Sequence, residues 1–166
     1  MARILGIDPG SRLTGFGLID ARPGGARYVE SGIIRVDAGP LDARLACIFG
    51  GVRELIAEFQ PTAVAIENVF MHRNAASALK LGQARGAAIV AAAVAGVAVA
   101  EYTPAEIKLS VVGNGRASKA QIEFMVGRLL GLAVLPRADA ADALAGALCH
   151  AQHMATAAAM TARARA

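Results

Sequence analysis

The sequence has no tryptophan, and Phe, Trp and Tyr together make up only 4% of its 166 residues. The core must therefore be built mainly from aliphatic side chains. It also has only two cysteines, Cys47 and Cys149, which lie in unrelated segments without metal-ligand spacing. This scarcity excludes a disulfide framework and a zinc-binding motif. We expect both thiols to be packed in the interior of a cytoplasmic protein.

A long hydrophobic run is missing as well. The most apolar stretch, GAAIVAAAVAGVAVA at 86–100, falls short of the ~20 residues that span a bilayer and consists mainly of weakly hydrophobic alanine. We predict that it forms a buried helix followed by a strand. The first residues, MARILGIDPG, bring a charge and turn-forming residues at once, which is not the pattern of a signal peptide.

Charged residues are scarce at 18%, whereas apolar residues reach 55%. This composition supports a large core in a chain of single-domain length. The formal net charge of +4 favours a polyanionic partner, with nucleic acid first and a membrane surface second. The end of the chain, ATAAAMTARARA, is of low complexity, so we predict one domain over 1–154 and a disordered tail over 155–166.

Apolar periodicity predicts the element order β-β-β-α-β-α-β-α-α-α. The predicted strands cover 3–8, 14–20, 27–36, 62–70 and 97–103, and the predicted helices cover 41–60, 74–96, a short segment from Pro104, 118–130, and 138 to about 154. Helices separate the strands only in the second half of the chain, which favours a mixed sheet. We therefore predict an α/β fold of the ribonuclease H-like type, with a five-stranded mixed sheet flanked by helices.

Four carboxylates occupy positions where an apolar element ends or begins. Asp8 and Glu67 each lie at the end of an apolar strand, and open α/β sheets bind ligands beyond the carboxyl ends of their strands. Asp139 and Asp142 are three residues apart on one helix face, among alanines small enough to let that helix lie close on the sheet. If these elements meet, their oxygen ligands suit Mg²⁺ or Mn²⁺.

Each carboxylate also has a purely structural interpretation. Asp8 precedes a Pro-Gly turn, and Glu67 could be a solvated strand end. Asp139 and Asp142 could cap a helix and interact with its dipole. Residue patterns alone leave both interpretations open.

Basic residues and one aromatic residue cluster in the loops and helix starts near the same predicted edge. Phosphate backbones bind such cations, and an exposed aromatic ring can stack on an unpaired base. A solvated surface for the cations and a core position for the aromatic ring are the alternatives. The candidates are Arg12, Phe70, Arg73, Lys80, Arg85, Lys108, Arg116 and Lys119.

Four segments resemble the conserved blocks of the RuvC family of Holliday-junction resolvases. They are ILGIDPGSRLTGFG at 4–17, IENVFMHRNAASALKLGQARG at 66–86, VVGNGRASK at 111–119 and ADAADALAGALCH at 138–150. The resemblance implies a ribonuclease H-like fold with an acidic active site at Asp8, Glu67, Asp139 and Asp142. Some family members carry histidine at the position of Asp142. It also implies that Phe70 engages bases and that Lys108 and Lys119 serve DNA-backbone binding and cleavage.

The same resemblance implies a homodimer that works with the RuvA and RuvB branch-migration proteins. The resulting hypothesis is a structure-specific endonuclease that resolves Holliday junctions by paired symmetric nicks, in homologous recombination and DNA repair. Two divalent cations per site would support hydrolysis that leaves 5′-phosphate ends, with Lys119 reinforcing charge stabilisation. A non-catalytic junction-binding protein is one alternative. An actin-like nucleotide-binding domain is another, although that fold needs a second domain for which the chain has no room.

Overall fold

A five-stranded mixed sheet forms the centre of the computed structural model, which describes residues 1–68 and 74–165. Its strands are β1 (Ala2–Asp8), β2 (Leu13–Arg22), β3 (Gly25–Arg35), β4 (Ala63–Glu67) and β5 (Ala98–Tyr102). Their order across the sheet is β3-β2-β1-β4-β5. The first three strands are antiparallel, whereas β4 pairs in parallel with both β1 and β5. The predicted mixed sheet is confirmed.

In the described part of the chain, five helices cover the two faces of this sheet. They are α1 (Leu41–Phe59), α2 (Ala75–Val94), α3 (Pro104–Val112), α4 (Lys119–Leu130) and α5 (Ala138–Ala164). The predicted Asn74 cap is confirmed, because its side chain accepts hydrogen bonds from the backbone of Ala76 and Ser77. Thr103 and Ser118 begin α3 and α4 with capping boxes. Within 1–68 and 74–165, none of these helices is both long and apolar enough to cross a membrane.

Side-chain alternation along the strands divides the core into two layers. Leu5, Ile7, Val64 and Ile66 pack with α1 and α2 in one hydrophobic cluster. Ile4 and Ala65 from the alternate positions of β1 and β4, together with Tyr102, pack with α3, α4 and α5 in the other cluster. Because successive side chains of a strand alternate between faces, Asp8 and Glu67 follow the second set, toward α5.

The helix α5 lies in direct contact with the backbone of β1 and β2, because glycines on the strands leave room for the main chain of the helix. A Cβ atom at Gly6 would lie 1.9 Å from the Ala143 carbonyl oxygen, and one at Gly15 would lie 2.1 Å from the Asp139 carbonyl oxygen. Ala143 is buried. The close approach predicted from the alanines is confirmed. It also requires the glycines of the strands, which have no side chain to hold the helix away.

Gly15→Ala is expected to lower the free energy of unfolding by about 1–3 kcal/mol, because α5 must move to admit the methyl group. Urea denaturation monitored by circular dichroism measures the change. Gly25→Ala is the matched control, since a Cβ there meets no atom within 4 Å. Equal stabilities of the two variants would contradict the close packing of α5 on the sheet.

Some sequence predictions differ from what is observed, among them those for the last helix and for one cysteine. The last helix continues to Ala164, well beyond the predicted end near Met154, so 155–164 is helical where we expected disorder. Alanine has the highest helix propensity, and the Thr156 and Thr161 hydroxyls donate to carbonyls one turn earlier. Cys149 is buried as predicted, but the prediction for Cys47 is wrong, because this residue is exposed on α1.

At the end of the sheet farthest from Asp8, the buried carboxylate of Asp20 links neighbouring strands. Asp20 is 1% exposed and accepts hydrogen bonds from Arg3 Nε at 2.9 Å and from Arg27 Nη2 at 2.7 Å. The hydrogen bond from Arg3 is the main cause that lowers the Asp20 pKa to about 2, with Arg27 acting in the same direction. Arg3 Nη1 also donates to the Phe59 carbonyl, so this group connects the sheet to the end of α1.

Candidate active site

Three neighbouring elements bring the four carboxylates to one edge of the sheet. The strands β1 and β4 are adjacent and parallel, with Ile7 opposite Ile66, so Asp8 and Glu67 follow at the same edge. Asp8 is also paired with Gly15 of β2, against which the Asp139 carbonyl group packs. The first turns of α5 therefore lie beside the ends of both strands.

The pKa values of two carboxyl groups record how close the acidic groups are. Burial raises the Asp8 pKa to about 7, and repulsion from Asp142, Glu67 and Asp139 adds to the shift. Burial followed by repulsion from Asp142 raises the Glu67 pKa, which Lys108 and Lys119 lower in part. Structural caps at separate places would not couple in this way, so the structure brings all four acidic residues together.

Two lysines line the cleft beside these carboxylates. Lys119, the first residue of α4, donates from Nζ to Asp142 Oδ2 at 2.8 Å. This hydrogen bond raises the Lys119 pKa, so its side chain stays an ammonium group. The cleft has a volume of about 200 Å³ and is lined by Glu67, Pro104, Ile107, Lys108, Lys119, Ile122, Asp142 and Ala145. It therefore combines anionic and cationic groups, as a site for a metal-bound phosphodiester requires.

The oxygens of the four carboxylates suit a hard divalent cation, although the carboxylates are not gathered closely around one point. Carboxylate oxygens are the ligands that Mg²⁺ and Mn²⁺ prefer, and a cation would relieve the mutual repulsion that raises the Asp8 pKa. Among residues 1–68 and 74–165, no three acidic, histidine or cysteine side chains lie close enough together to hold a metal ion in the arrangement seen. One of the four carboxylates, that of Asp142, is engaged by the Lys119 ammonium group.

Metal-free protein is expected to lose stability as the pH rises from about 4 to 7. The folded-state pKa of Asp8 is about 7, well above its ordinary value of 3.8, so the folded state binds this proton more tightly than the unfolded state does. Urea denaturation in EDTA at pH 5 and pH 8 measures the difference. Asp8→Asn should lose less stability than wild type between pH 5 and pH 8, and it should be more stable than wild type at pH 8. An unchanged pH dependence in this variant would contradict the burial of Asp8.

The remaining predicted DNA contacts occupy different environments. Arg12, Lys80 and Arg116 are exposed, whereas Lys108 is partly buried beside the carboxylates. Phe70 and Arg73 lie outside the described residues. The side chain of Arg85 is only 17% exposed and is paired with Glu101.

Two arginine side chains donate hydrogen bonds to main-chain carbonyl groups near the carboxylates. No sequence pattern predicts these contacts. Arg44 of α1 donates to the Ser11 carbonyl in the loop after Asp8. Arg85 of α2 donates from Nε to the Glu67 carbonyl at 3.2 Å. Both contacts join residues that are distant in the sequence, so no local spacing indicates them.

His150 and His153 have structural surroundings. His150 Nδ1 shares a hydrogen bond of 2.7 Å with the Tyr102 hydroxyl group, and His153 packs edge-on against the Tyr102 ring. These contacts join α5 to the end of β5. The histidines therefore stabilise the packing of the helix that carries Asp139 and Asp142.

The profile of the family described as crossover junction endodeoxyribonuclease RuvC matches residues 4–150 of the chain. The chain belongs to this family. RuvC proteins of Shewanella amazonensis and of Pseudomonas aeruginosa strain LESB58 are 58% and 59% identical to it over 150 and 151 residues. These matches cover 90% and 91% of this chain and 87% of each relative. This RuvC family member thus aligns with curated relatives along most of its length.

A solved RuvC structure agrees with the fold. Thermus thermophilus RuvC in complex with Holliday junction substrate matches with a TM-score of 0.88 at 37% identity, covering 93% of this chain and 95% of that one. The predicted ribonuclease H-like fold is confirmed. Membership of the RuvC family makes the chain an endodeoxyribonuclease rather than an actin-like nucleotide-binding domain or a protein that only binds junctions.

Proposed function

We propose that this RuvC family member is a structure-specific endonuclease that resolves Holliday junctions by paired symmetric nicks, in homologous recombination and DNA repair. The observation that carries the proposal is the convergence of four carboxylates, with an ammonium group 2.8 Å from one of them, in a RuvC chain. The Thermus relative of the same fold is described with a Holliday junction substrate, which supports the same substrate here.

In this proposal Asp8, Glu67, Asp139 and Asp142 hold two divalent cations per site, Mg²⁺ or Mn²⁺. The bound cations would activate a water and stabilise the charge that develops on the scissile phosphate, leaving a 5′-phosphate and a 3′-hydroxyl end. The protein supplies the orientation, because β1, β4 and α5 each carry part of the ligand set.

Lys119 is the fifth catalytic residue of the proposal. Its raised pKa keeps it protonated, so it can stabilise phosphate charge but cannot act as a base near neutral pH. Releasing Asp142 to a cation would free the ammonium group for the DNA phosphate. Lys108 lines the same cleft and would contact an adjacent phosphate.

The proposed DNA-binding surface extends from this cleft. Exposed Lys80 and Arg116 would contact the phosphate backbone, which makes binding salt-dependent. Phe70, placed by the family resemblance against bases of the junction, and Arg73 remain part of the proposal. The guanidinium of Arg85 is already engaged by the Glu67 carbonyl and the Glu101 carboxylate.

A homodimer completes the proposed assembly, because a four-way junction must be nicked on two opposed strands. Two identical sites related by a two-fold axis meet this requirement. The second half of α2 exposes Val90 and Val94 at 52% and 63%, which supports it as the contact between subunits. A stable monomer at micromolar concentration in gel filtration would contradict this part. Action with RuvA and RuvB in the cytoplasm belongs to the same proposal.

The test is cleavage of a four-way junction with a branch-migrating core, next to a duplex of the same sequence. The wild-type protein should nick two opposed strands of the junction in Mg²⁺ or Mn²⁺, leave the duplex intact and produce ends that a ligase seals. Sequencing the ends locates the nicks. A wild-type protein that binds the junction but never nicks it in either metal would refute the proposal.

A further inference from the structure

Arg85 bridges the ends of two neighbouring strands. Its Nε donates to the Glu67 carbonyl at 3.2 Å, and its Nη2 forms an ion pair with the Glu101 carboxylate. Glu67 is the last residue of β4, and Glu101 of β5 is paired with the preceding residue, Ile66. The arginine therefore contacts the backbone of an acidic residue at the active site and is held by a second acid outside it.

The contacts place Arg85 on the face of the sheet opposite the carboxylates. Side chains of β4 alternate, with Ile66 in the cluster of α1 and α2 and Ala65 in the cluster of α5. In β5 the same alternation places Tyr102 toward α5 and Glu101 toward α2. Arg85 thus reaches Glu67 through its main chain, while the Glu67 carboxylate faces the other side.

The backbone of Glu67 lies where strand pairing ends. Pairing of β4 with β1 stops at Ile66, whereas pairing with β5 continues through Glu67, and the Asn68 N–H donates to the Tyr102 carbonyl at 2.7 Å. The Arg85 guanidinium adds a charge-assisted hydrogen bond at this strand end. With a side chain only 17% exposed, it has little surface left for another ligand.

We infer that Arg85 is a positioning residue for Glu67, anchored by Glu101, and is not a contact to DNA. The bridge between β4, β5 and α2 holds the Glu67 main chain so that its carboxylate meets those of β1 and α5. This inference rests on the proposed function only in taking Glu67 as an active-site ligand. In this inference Glu101 helps to orient the site by anchoring Arg85, a role that no sequence pattern predicts.

The experiment compares Glu101→Gln, Arg85→Lys and Arg85→Ala with the double variant Arg85→Ala/Glu101→Gln. Arg53→Ala, which removes an exposed arginine from α1, controls for the loss of charge. The readouts are the single-turnover nicking rate at saturating protein, the junction Kd in EDTA at several salt concentrations, and the Mn²⁺ concentration that gives half the maximal rate. The rise in Tm on adding Mn²⁺ to the DNA-free protein is the readout that does not depend on activity.

The positioning role predicts that Glu101→Gln and Arg85→Ala each lower the single-turnover rate by about tenfold and raise the Mn²⁺ requirement. The junction Kd and its salt dependence should stay within about twofold of wild type, since no phosphate contact is lost. The double variant should be no slower than Arg85→Ala, because both changes break one bridge. The single-turnover rate of Arg85→Lys should lie between those of wild type and Arg85→Ala. Glu101→Gln preserves the side-chain volume at a 47% exposed position, so it separates the loss of the bridge from a loss of folding.

Two results would overturn the inference. In one, Arg85→Ala weakens junction binding by about tenfold and flattens its salt dependence while Glu101→Gln nicks at the wild-type rate, as expected for a phosphate contact. In the other, all the variants nick and respond to Mn²⁺ like wild type. If the wild-type protein fails to nick any junction, the proposed function falls instead. A smaller Mn²⁺-induced rise in Tm for Glu101→Gln would then still support the positioning of Glu67, and an unchanged rise would overturn it.

Discussion

Asp8→Asn is expected to lower the rate of junction nicking by about a thousandfold while leaving junction binding intact. A metal ion contributes several kcal/mol of transition-state stabilisation, and each ~1.4 kcal/mol is a factor of ten in rate. Repulsion from all three of the other carboxylates contributes to the raised Asp8 pKa, so Asp8 is a central member of the proposed ligand set. The amide retains the shape of the side chain but removes the anionic ligand.

The measurement pairs single-turnover nicking in Mn²⁺ with junction binding in EDTA. Asp139→Asn should likewise lower the nicking rate and leave binding intact, because both residues belong to the proposed ligand set. Asp37→Asn makes the same chemical change on an exposed connection between β3 and α1 and should nick at the wild-type rate. Loss of binding in parallel with loss of nicking would show that Asp8 supports the fold rather than the chemistry.

Asp20→Asn is expected to lower the free energy of unfolding by about 2–3 kcal/mol at pH 7, with little effect on the nicking rate of the protein that remains folded. The change removes a buried anion that accepts hydrogen bonds from Arg3 and Arg27. It also leaves the partly buried Arg3 guanidinium, which joins the sheet to the end of α1, without its counter-ion.

The pH dependence makes this prediction specific. The folded-state pKa of Asp20 is about 2, below its ordinary value of 3.8, so its contribution is complete above about pH 4 and is lost as the pH falls toward 2. Urea denaturation at pH 7, 4 and 2.5 measures the free energy of unfolding of wild type and Asp20→Asn. The difference between the two proteins should be smallest at pH 2.5. Asp37→Asn again serves as the control. A gap that stays constant down to pH 2.5 would contradict the ion-pair origin of the stability.

Local sequence patterns predicted the elements of this site well. The runs before Asp8 and Glu67 are apolar, so Asp8 could be placed at the end of the first strand, before the Pro-Gly turn, and Glu67 near the end of the fourth. The spacing of Asp139 and Asp142 placed them on one face of α5. These inferences succeed because secondary structure depends on residues within a few positions of each other.

Other features could not be predicted, because they depend on contacts between distant residues. Gly15 looks like any strand glycine until the Asp139 carbonyl group is seen against it. Arg85 looks like one of several basic residues near DNA until Glu101 and the Glu67 carbonyl are found beside it. The helical end of α5 differs from the predicted disorder for a local reason: a segment of low complexity that is rich in alanine still has a high helix propensity.

The sequence by itself determined the types of element, their order, the acids that end β1 and β4, and the blocks that identify the RuvC family. Only the tertiary structure decided that α5 lies directly on the glycines of β1 and β2, that burial and repulsion raise the Asp8 pKa to about 7, and that Arg85 is engaged beneath Glu67. The physical reason is the range of the interactions. Backbone propensity and periodicity act over a few residues, whereas packing, desolvation and ion pairing act between groups that only the folded chain brings together.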